Sequence, residues 1–129
     1  MKLIGSGIGV SGGALSGTLA FDMGDIETIK ANNPGDKIIL VRPDTVPDDI
    51  PLIFNCDGLI TAKGGATSHA AVTAAGLGKV CIVSCKSLLV DDAGKRCSVN
   101  GGKYAPGDKL SIDGSSGLIY EGSYEIRID

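Results

Sequence analysis

Tryptophan is absent from these 129 residues, and all aromatics together make up only 4%. So few rings cannot build a platform for stacking bases. The formal net charge is −3 at pH 7, and no basic run supplies a track for a phosphate backbone. Nucleic-acid binding is therefore excluded as a principal function. No run of eighteen or more apolar residues occurs, so no segment has the length of a membrane-spanning helix. The opening residues, MKLIGSGIGVSGG, place glycines where a secretory leader needs an unbroken apolar stretch. The expectation is a cytoplasmic protein. Histidine occurs once in the whole chain, at position 69, so no His-rich metal centre can form.

What is present is aliphatic and glycine-rich. Hydrophobic residues reach 43%, and with few rings the core must be built from Ile, Val, Leu and Ala. Twenty glycines imply several tight turns or close backbone approaches. The length suits one domain, or one module of a longer chain. Four cysteines occur, Cys56, Cys81, Cys85 and Cys97. Zinc knuckles want close pairs, which Cys81 and Cys85 match only loosely and the other two lack. Cys81 also sits in VCIVSC, an apolar run in which cysteine serves as a small core residue. The core reading is preferred over metal or disulfide.

Along the chain, residues 5 to 20 read as a glycine-rich loop ending in a strand from Gly17 to Phe21. Gly7, Gly9 and Gly12 fit G-x-G-x-x-G, but the dinucleotide fingerprint needs a strand before it and a helix after it. Neither is expected here, so the stretch reads as a turn. Residues 25–36, DIETIKANNPGD, predict a short helix with Asp25 as cap, Ile26 and Ile29 on one face, and Asn33-Pro34-Gly35 as terminator. KIILVRP (37–43) predicts a buried strand closed by proline. TVPDDIPLIFN (45–55) predicts one or two helical turns with Asp48 and Asp49 near the positive end. GLITA (58–62) predicts a strand, the next helix runs from Ser68 to Leu77, and VCIVS (80–84) returns as a strand. Beyond residue 85 the turn signatures DDAGK, NGGK, APGDK and DGSSG separate short strands, among them KLSID and GLIYEG. The expected fold is mixed α/β, a β-α-β core flanked by β-hairpins.

The single histidine lies in GGATSH, residues 64–69. A strand, a glycine loop and a helix meet there, and such a junction is an anion site: free backbone N–H groups point outward and the helix dipole adds partial positive charge. Gly64 and Gly65 let backbone approach a bulky anion, and Thr67 can cap the helix and donate a hydroxyl. The positive helix end disfavours imidazolium by about 0.3–1 kcal/mol. The ring is thereby kept neutral and nucleophilic near pH 7. A neutral nitrogen beside N–H donors is what acceptance of a phosphoryl group requires. Spacing alone leaves open a ring that only hydrogen-bonds at a helix start. Ser68 and His69 cannot form a simple catalytic pair, because adjacent helical residues do not face each other.

The stretch LITAKGGATSHAAVTAAGLGKVCIV resembles the phosphohistidine motif of the PEP-utilising enzymes. Upstream, LVRPDTVPDDI is most similar to the equivalent segment of the pyruvate phosphate dikinase and phosphoenolpyruvate synthase branch, and to the dikinases in particular. Downstream, GDKLSIDGSSGLIY resembles that family's closing hairpins. The likeness runs from about Gly9 to Tyr120. It implies a swivelling β/β/α phosphohistidine domain with a helix following the His loop, spanning 1–129 as one unit of a larger multidomain enzyme. It also implies that His69 accepts a phosphoryl group from ATP at an ATP-grasp domain holding Mg²⁺. The group is then exchanged with pyruvate or phosphoenolpyruvate at a TIM-barrel domain. No cofactor would be bound in the carrier itself. Gly64, Gly65, Thr67 and Ser68 match the phosphate-contacting positions, and Thr61 the threonine that opens the motif. Ala66 stands where many relatives have methionine, and Val80 where many have proline or cysteine. Two alternatives remain at this level: a non-catalytic swivelling module, and a free-standing phosphocarrier with another acceptor.

Overall fold

Unbroken apolar runs decide the centre of the molecule. Strands buried on both faces lose the alternation of half-exposed ones, and IILV and VCIV are such runs. The computed structural model describes residues 2–11, 13–44, 50–63, 69–91 and 94–122, and at 2, 11 and 69–71 the backbone alone. The strands are β1 (Lys2–Ser6), β2 (Ile8–Ser11), β3 (Ala14–Ala20), β4 (Ile38–Arg42), β5 (Gly58–Thr61), β6 (Val80–Val83), β7 (Leu88–Asp91), β8 (Arg96–Val99), β9 (Gly102–Tyr104), β10 (Lys109–Asp113) and β11 (Leu118–Glu121). The helices are α1 (Met23–Asn32), α2 (Ile50–Phe54) and α3 (His69–Gly76).

Eight strands form one sheet in the order β1-β11-β10-β3-β4-β5-β6-β2. Its middle, β3 through β6, is parallel, and its flanks are antiparallel. Strands β7, β8 and β9 form a second, antiparallel sheet. The alternation of side chains along a strand then sorts the core into two layers. Ile39, Val41, Ile60 and Ile82 face the small sheet and meet its Leu88, Cys97, Val99 and Tyr104. Ile38, Leu40, Leu59, Cys81 and Val83 face the helices and meet Ile26, Ile29, Ile53 and Ala74. Each fully buried Ile or Leu contributes about 1.5–3 kcal/mol, so both layers are needed for the sheet to persist.

Two readings are corrected. The loop expected from residue 5 is instead two strands, and β3 starts at Ala14 rather than Gly17. The reason is tertiary: β1 pairs with β11 and β2 with β6, and such pairing outweighs weak strand propensity. The glycines permit it. Gly7 N–H donates to Gly117 O at 2.8 Å, an approach of two backbones that side chains would block. Helix α1 spans Met23–Asn32, not 25–36, and its cap is Asp22. The Asp22 carboxylate accepts from Asp25 N–H, and Asp25 in turn accepts from Phe21 N–H, each at 2.9 Å. This reciprocal arrangement resembles a capping box. Ile26 and Ile29 are buried together, as their spacing predicts. The one or two helical turns expected within 45–55 are found at Ile50–Phe54; Asp48 and Asp49 lie outside the described residues.

Gly117 adopts φ +78°, and a Cβ there would collide with the Gly7 carbonyl oxygen. Gly117→Ala should therefore cost about 2–4 kcal/mol, from left-handed strain plus overpacking. At Gly35, which has open space, the same change should stay within about 0.5 kcal/mol. Urea denaturation of the two variants checks this, and equal midpoints would refute it.

Candidate functional site

Parallel strands joined by helices gather the connecting loops at the carboxyl edge of a sheet, where ligands meet open α/β folds. That edge is formed here by the ends of β3, β4, β5 and β6. Strand β5 ends at Thr61, and the next element in the chain is α3, whose first residue is His69. The helix lies on β6 and β2 and touches α2. It was expected from Ser68 to Leu77 and is found from His69 to Gly76, with Gly78 beyond it at φ +72°. It carries no acidic group in its first turn and no basic group in its last. Thus no side-chain charge on the helix opposes or replaces the field of its backbone.

Of the expected site residues, Gly64, Gly65, Thr67 and Ser68 lie outside the described residues, and His69 is described by its backbone alone. Thr61 is fully described and is buried. Its hydroxyl donates to Lys63 O at 2.6 Å, and its carbonyl accepts from Cys85 N–H at 3.1 Å. A buried, doubly bonded threonine fixes the direction in which the chain leaves β5.

The same departure is fixed from the other side. Beyond the paired residues of β4 and β5, where Arg42 stands beside Thr61, two further backbone bonds continue the ladder. Ala62 N–H donates to Arg42 O at 3.3 Å, and Lys63 N–H donates to Pro43 O at 3.1 Å. The root of the histidine loop is thereby zipped to the segment that follows β4. Arg42 is half-buried, and its Nη1 donates to Phe21 O at 3.0 Å.

Lys95, in the β7–β8 turn, pairs with Asp22 at 2.8 Å and Asp25 at 3.1 Å. The hydrogen bond from Lys95 holds the Asp22 carboxyl below its ordinary value, aided by the N–H groups at the helix start. The two carboxylates hold Lys95 charged to higher pH than usual, Asp22 most strongly. A groove of about 580 Å³ lies along Gly5, Ser6, Gly7, Ser84, Lys86 and Asn100, off the end of β6. It involves none of the described motif residues.

All four cysteines are free and buried. Burial pushes the Cys56 thiol up to about 12 and those of Cys81 and Cys97 up to about 11. Such thiols stay protonated and unreactive at neutral pH. Among the described residues no group of three or more His, Cys, Asp or Glu could hold a metal ion, and no helix is long and apolar enough to cross a membrane.

With this geometry in place, comparison with known proteins is direct. Residues 34–117 match the family model described as the mobile domain of PEP-utilising enzymes. The chain is 38% identical over 126 residues to pyruvate, phosphate dikinase of Clostridium symbiosum, covering 98% of this chain and 14% of that protein. It is 41% identical over 122 residues to the enzyme of Entamoeba histolytica, covering 94% of this chain and 13% of that protein. A chloroplastic pyruvate, phosphate dikinase of Oryza sativa subsp. japonica is 40% identical over 121 residues, with coverage of 94% and 13%. The chain thus spans about a seventh of the length of these relatives, which are multidomain enzymes.

Two outcomes follow. The native protein should leave a thiol reagent such as DTNB unreacted at pH 8 and release four thiols only on unfolding; fast labelling of the folded state would contradict the burial. Asp22→Ala should cost about 1 kcal/mol at pH 7. Because the folded pKa is lowered, this contribution is complete above the unfolded value of about 3.9 and is lost as pH falls through the lower folded one. The gap between wild type and variant in urea denaturation should therefore close between pH 4 and the acid limit.

Proposed function

Because the chain belongs to the mobile-domain family of PEP-utilising enzymes, we propose that it is the phosphoryl carrier of a pyruvate, phosphate dikinase type of enzyme, with His69 as the group that is phosphorylated. The observation that carries this reading is the position of His69: it is the first residue of α3, the element that follows β5 in the chain. A helix of eight residues that opens on the only histidine offers its N-terminal amides to whatever the ring carries.

The chemistry is a displacement at phosphorus. The neutral imidazole nitrogen of His69 attacks, a P–N bond forms, and the P–O bond to the nucleotide breaks with its electron pair leaving on the nucleotide oxygen. The proton on the other ring nitrogen is released to solvent. The step reverses at the second site, where the enolate oxygen of pyruvate takes the phosphoryl group and the electron pair returns to the ring. Gly64 and Gly65 let backbone amides reach the transferred oxygens, and Thr67 and Ser68 add hydroxyl donors. Thr61 contributes by holding the loop's root.

ATP and Mg²⁺ belong to a nucleotide-binding ATP-grasp domain, and pyruvate or phosphoenolpyruvate to a TIM-barrel domain. The carrier moves between them, a swivelling motion for which a separate, internally rigid unit is suited. Its own rigidity comes from the two buried layers.

The test is incubation of the chain with the nucleotide-binding domain of a dikinase relative and ATP labelled at the β or γ phosphorus. An acid-labile, base-stable adduct should form and vanish in His69→Ala. Label that persists in that variant would remove His69 from the role. A chain that takes no label from any donor would indicate a non-catalytic module instead.

A further inference from the structure

We propose that the groove off the end of β6 is a binding site for a small organic phosphate, with the phosphate held by Ser84, Lys86 and Ser87 and the apolar body by Leu3 and Leu118. The inference does not rest on the carrier reading and uses no residue of the histidine motif.

At about 580 Å³ the groove has the size of a small-molecule cleft, and it lies at a carboxyl strand end, where ligands meet parallel sheets. Ser84 builds it. Val80 N–H donates to Asp57 O at 3.2 Å at the start of the β5–β6 ladder, and Cys85 N–H donates to Thr61 O at 3.1 Å at its end. The second bond passes over Ser84, which takes φ +53°. A serine in the left-handed region costs about 1–2 kcal/mol. Such strain gathers at ligand clamps, and a residue passed over by the ladder has its side chain re-aimed. The chain then turns, with Leu88 N–H donating to Cys85 O at 3.1 Å. Lys86 and Ser87 form the crown of that turn, and both line the groove.

The lining has the donor chemistry of an anion site. Ser6, Ser84 and Ser87 supply three hydroxyls and Lys86 one ammonium, and no lining residue is acidic. Lys86 has no carboxylate partner among the described residues. The Ser87 hydroxyl has only the Cys85 sulfur, a weak partner at 3.7 Å, so it is available to an oxyanion. A phosphate presents three strong acceptor oxygens to such a set, one more than a carboxylate. Leu3, 55% exposed, and the half-buried Leu118 add an apolar wall. The other large groove, of about 470 Å³ at the amino ends of β4 and β5, differs in kind: Asp36 and Asp57 stand among its lysines, and these carboxylates repel an anion.

The experiment uses the whole chain, with amide ¹⁵N–¹H spectra recorded at constant ionic strength. Phenyl phosphate is the probe; inorganic phosphate presents its head alone, and benzoate the same body with a carboxylate. Phenyl phosphate should shift the amides of Ser84, Lys86 and Ser87 saturably, and the other two should bind about tenfold more weakly. Lys86→Gln should weaken phenyl phosphate about tenfold, whereas Lys103→Gln, outside the groove, should leave it unchanged. Ser84→Gly removes a hydroxyl and relieves the left-handed strain, so it should weaken the probe while raising the urea midpoint. A serine kept only for the fold would lower that midpoint and leave binding intact. Shifts that never saturate, that fall outside the groove or that benzoate matches overturn the phosphate site, as does wild-type binding by Lys86→Gln.

Discussion

The parallel ladder between β4 and β5 is the constraint on which the site depends. Its pairs run from Ile39 beside Gly58 to Arg42 beside Thr61, and the backbone bonds of Ala62 and Lys63 extend it past the strand ends. Register in a parallel sheet is all-or-none: a slip of one residue turns every side chain to the opposite face. Here a slip would move Leu40 and Leu59 out of the helix layer onto the face of the small sheet, and turn Thr61 away from its bond to Lys63 O. Hydrophobic burial in the two layers therefore fixes the geometry of a polar edge that contributes little stability of its own.

Burial and reactivity are kept apart by the same architecture. The nucleophiles that could compete with a histidine, four thiols, are all in the interior, and three of them have their pKa pushed up by burial. The single histidine is instead the first residue of α3. The layering also packs the described residues into one unit. The β7–β9 sheet covers one face of the large sheet and the helices the other. Lys95 ties the small sheet's turn to the start of α1 through two carboxylates. Such partly exposed pairs add little energy, but they join a hairpin to a helix on the far layer.

Legibility in the sequence followed the range of the interactions. β4, β5 and β6 were readable because apolar runs of four or five residues between turn signals carry their own signal, and α3 because glycines bracket it. The cysteines were readable for the same reason: an apolar neighbourhood in sequence became an apolar neighbourhood in space. The N-terminal strands were not readable. GSGIGVS has the composition of a loop, and only partners some 75 to 115 residues away, in β6 and β11, make it a strand. The cap of α1 was misplaced by three residues because Asp22 and Asp25 both suit the role, and the answer lies in which one the backbone N–H groups reach.

The site divides along the same line. His69 and the residues before it form a contiguous motif, so one stretch of chain is enough to suggest them. Arg42 is 27 positions upstream, inside the stretch KIILVRP that predicts a buried strand closed by proline. A local clue existed: an arginine closing an otherwise apolar strand must either reach solvent or find acceptors. What the sequence could not state is that β4 lies next to β5 and in a register that sets Arg42 against the root of the histidine loop. Ligand-binding edges of parallel sheets are assembled from strand ends distant in sequence. A motif search along the chain finds one contiguous stretch, whereas the residues set beside it have to be looked for across the ladder.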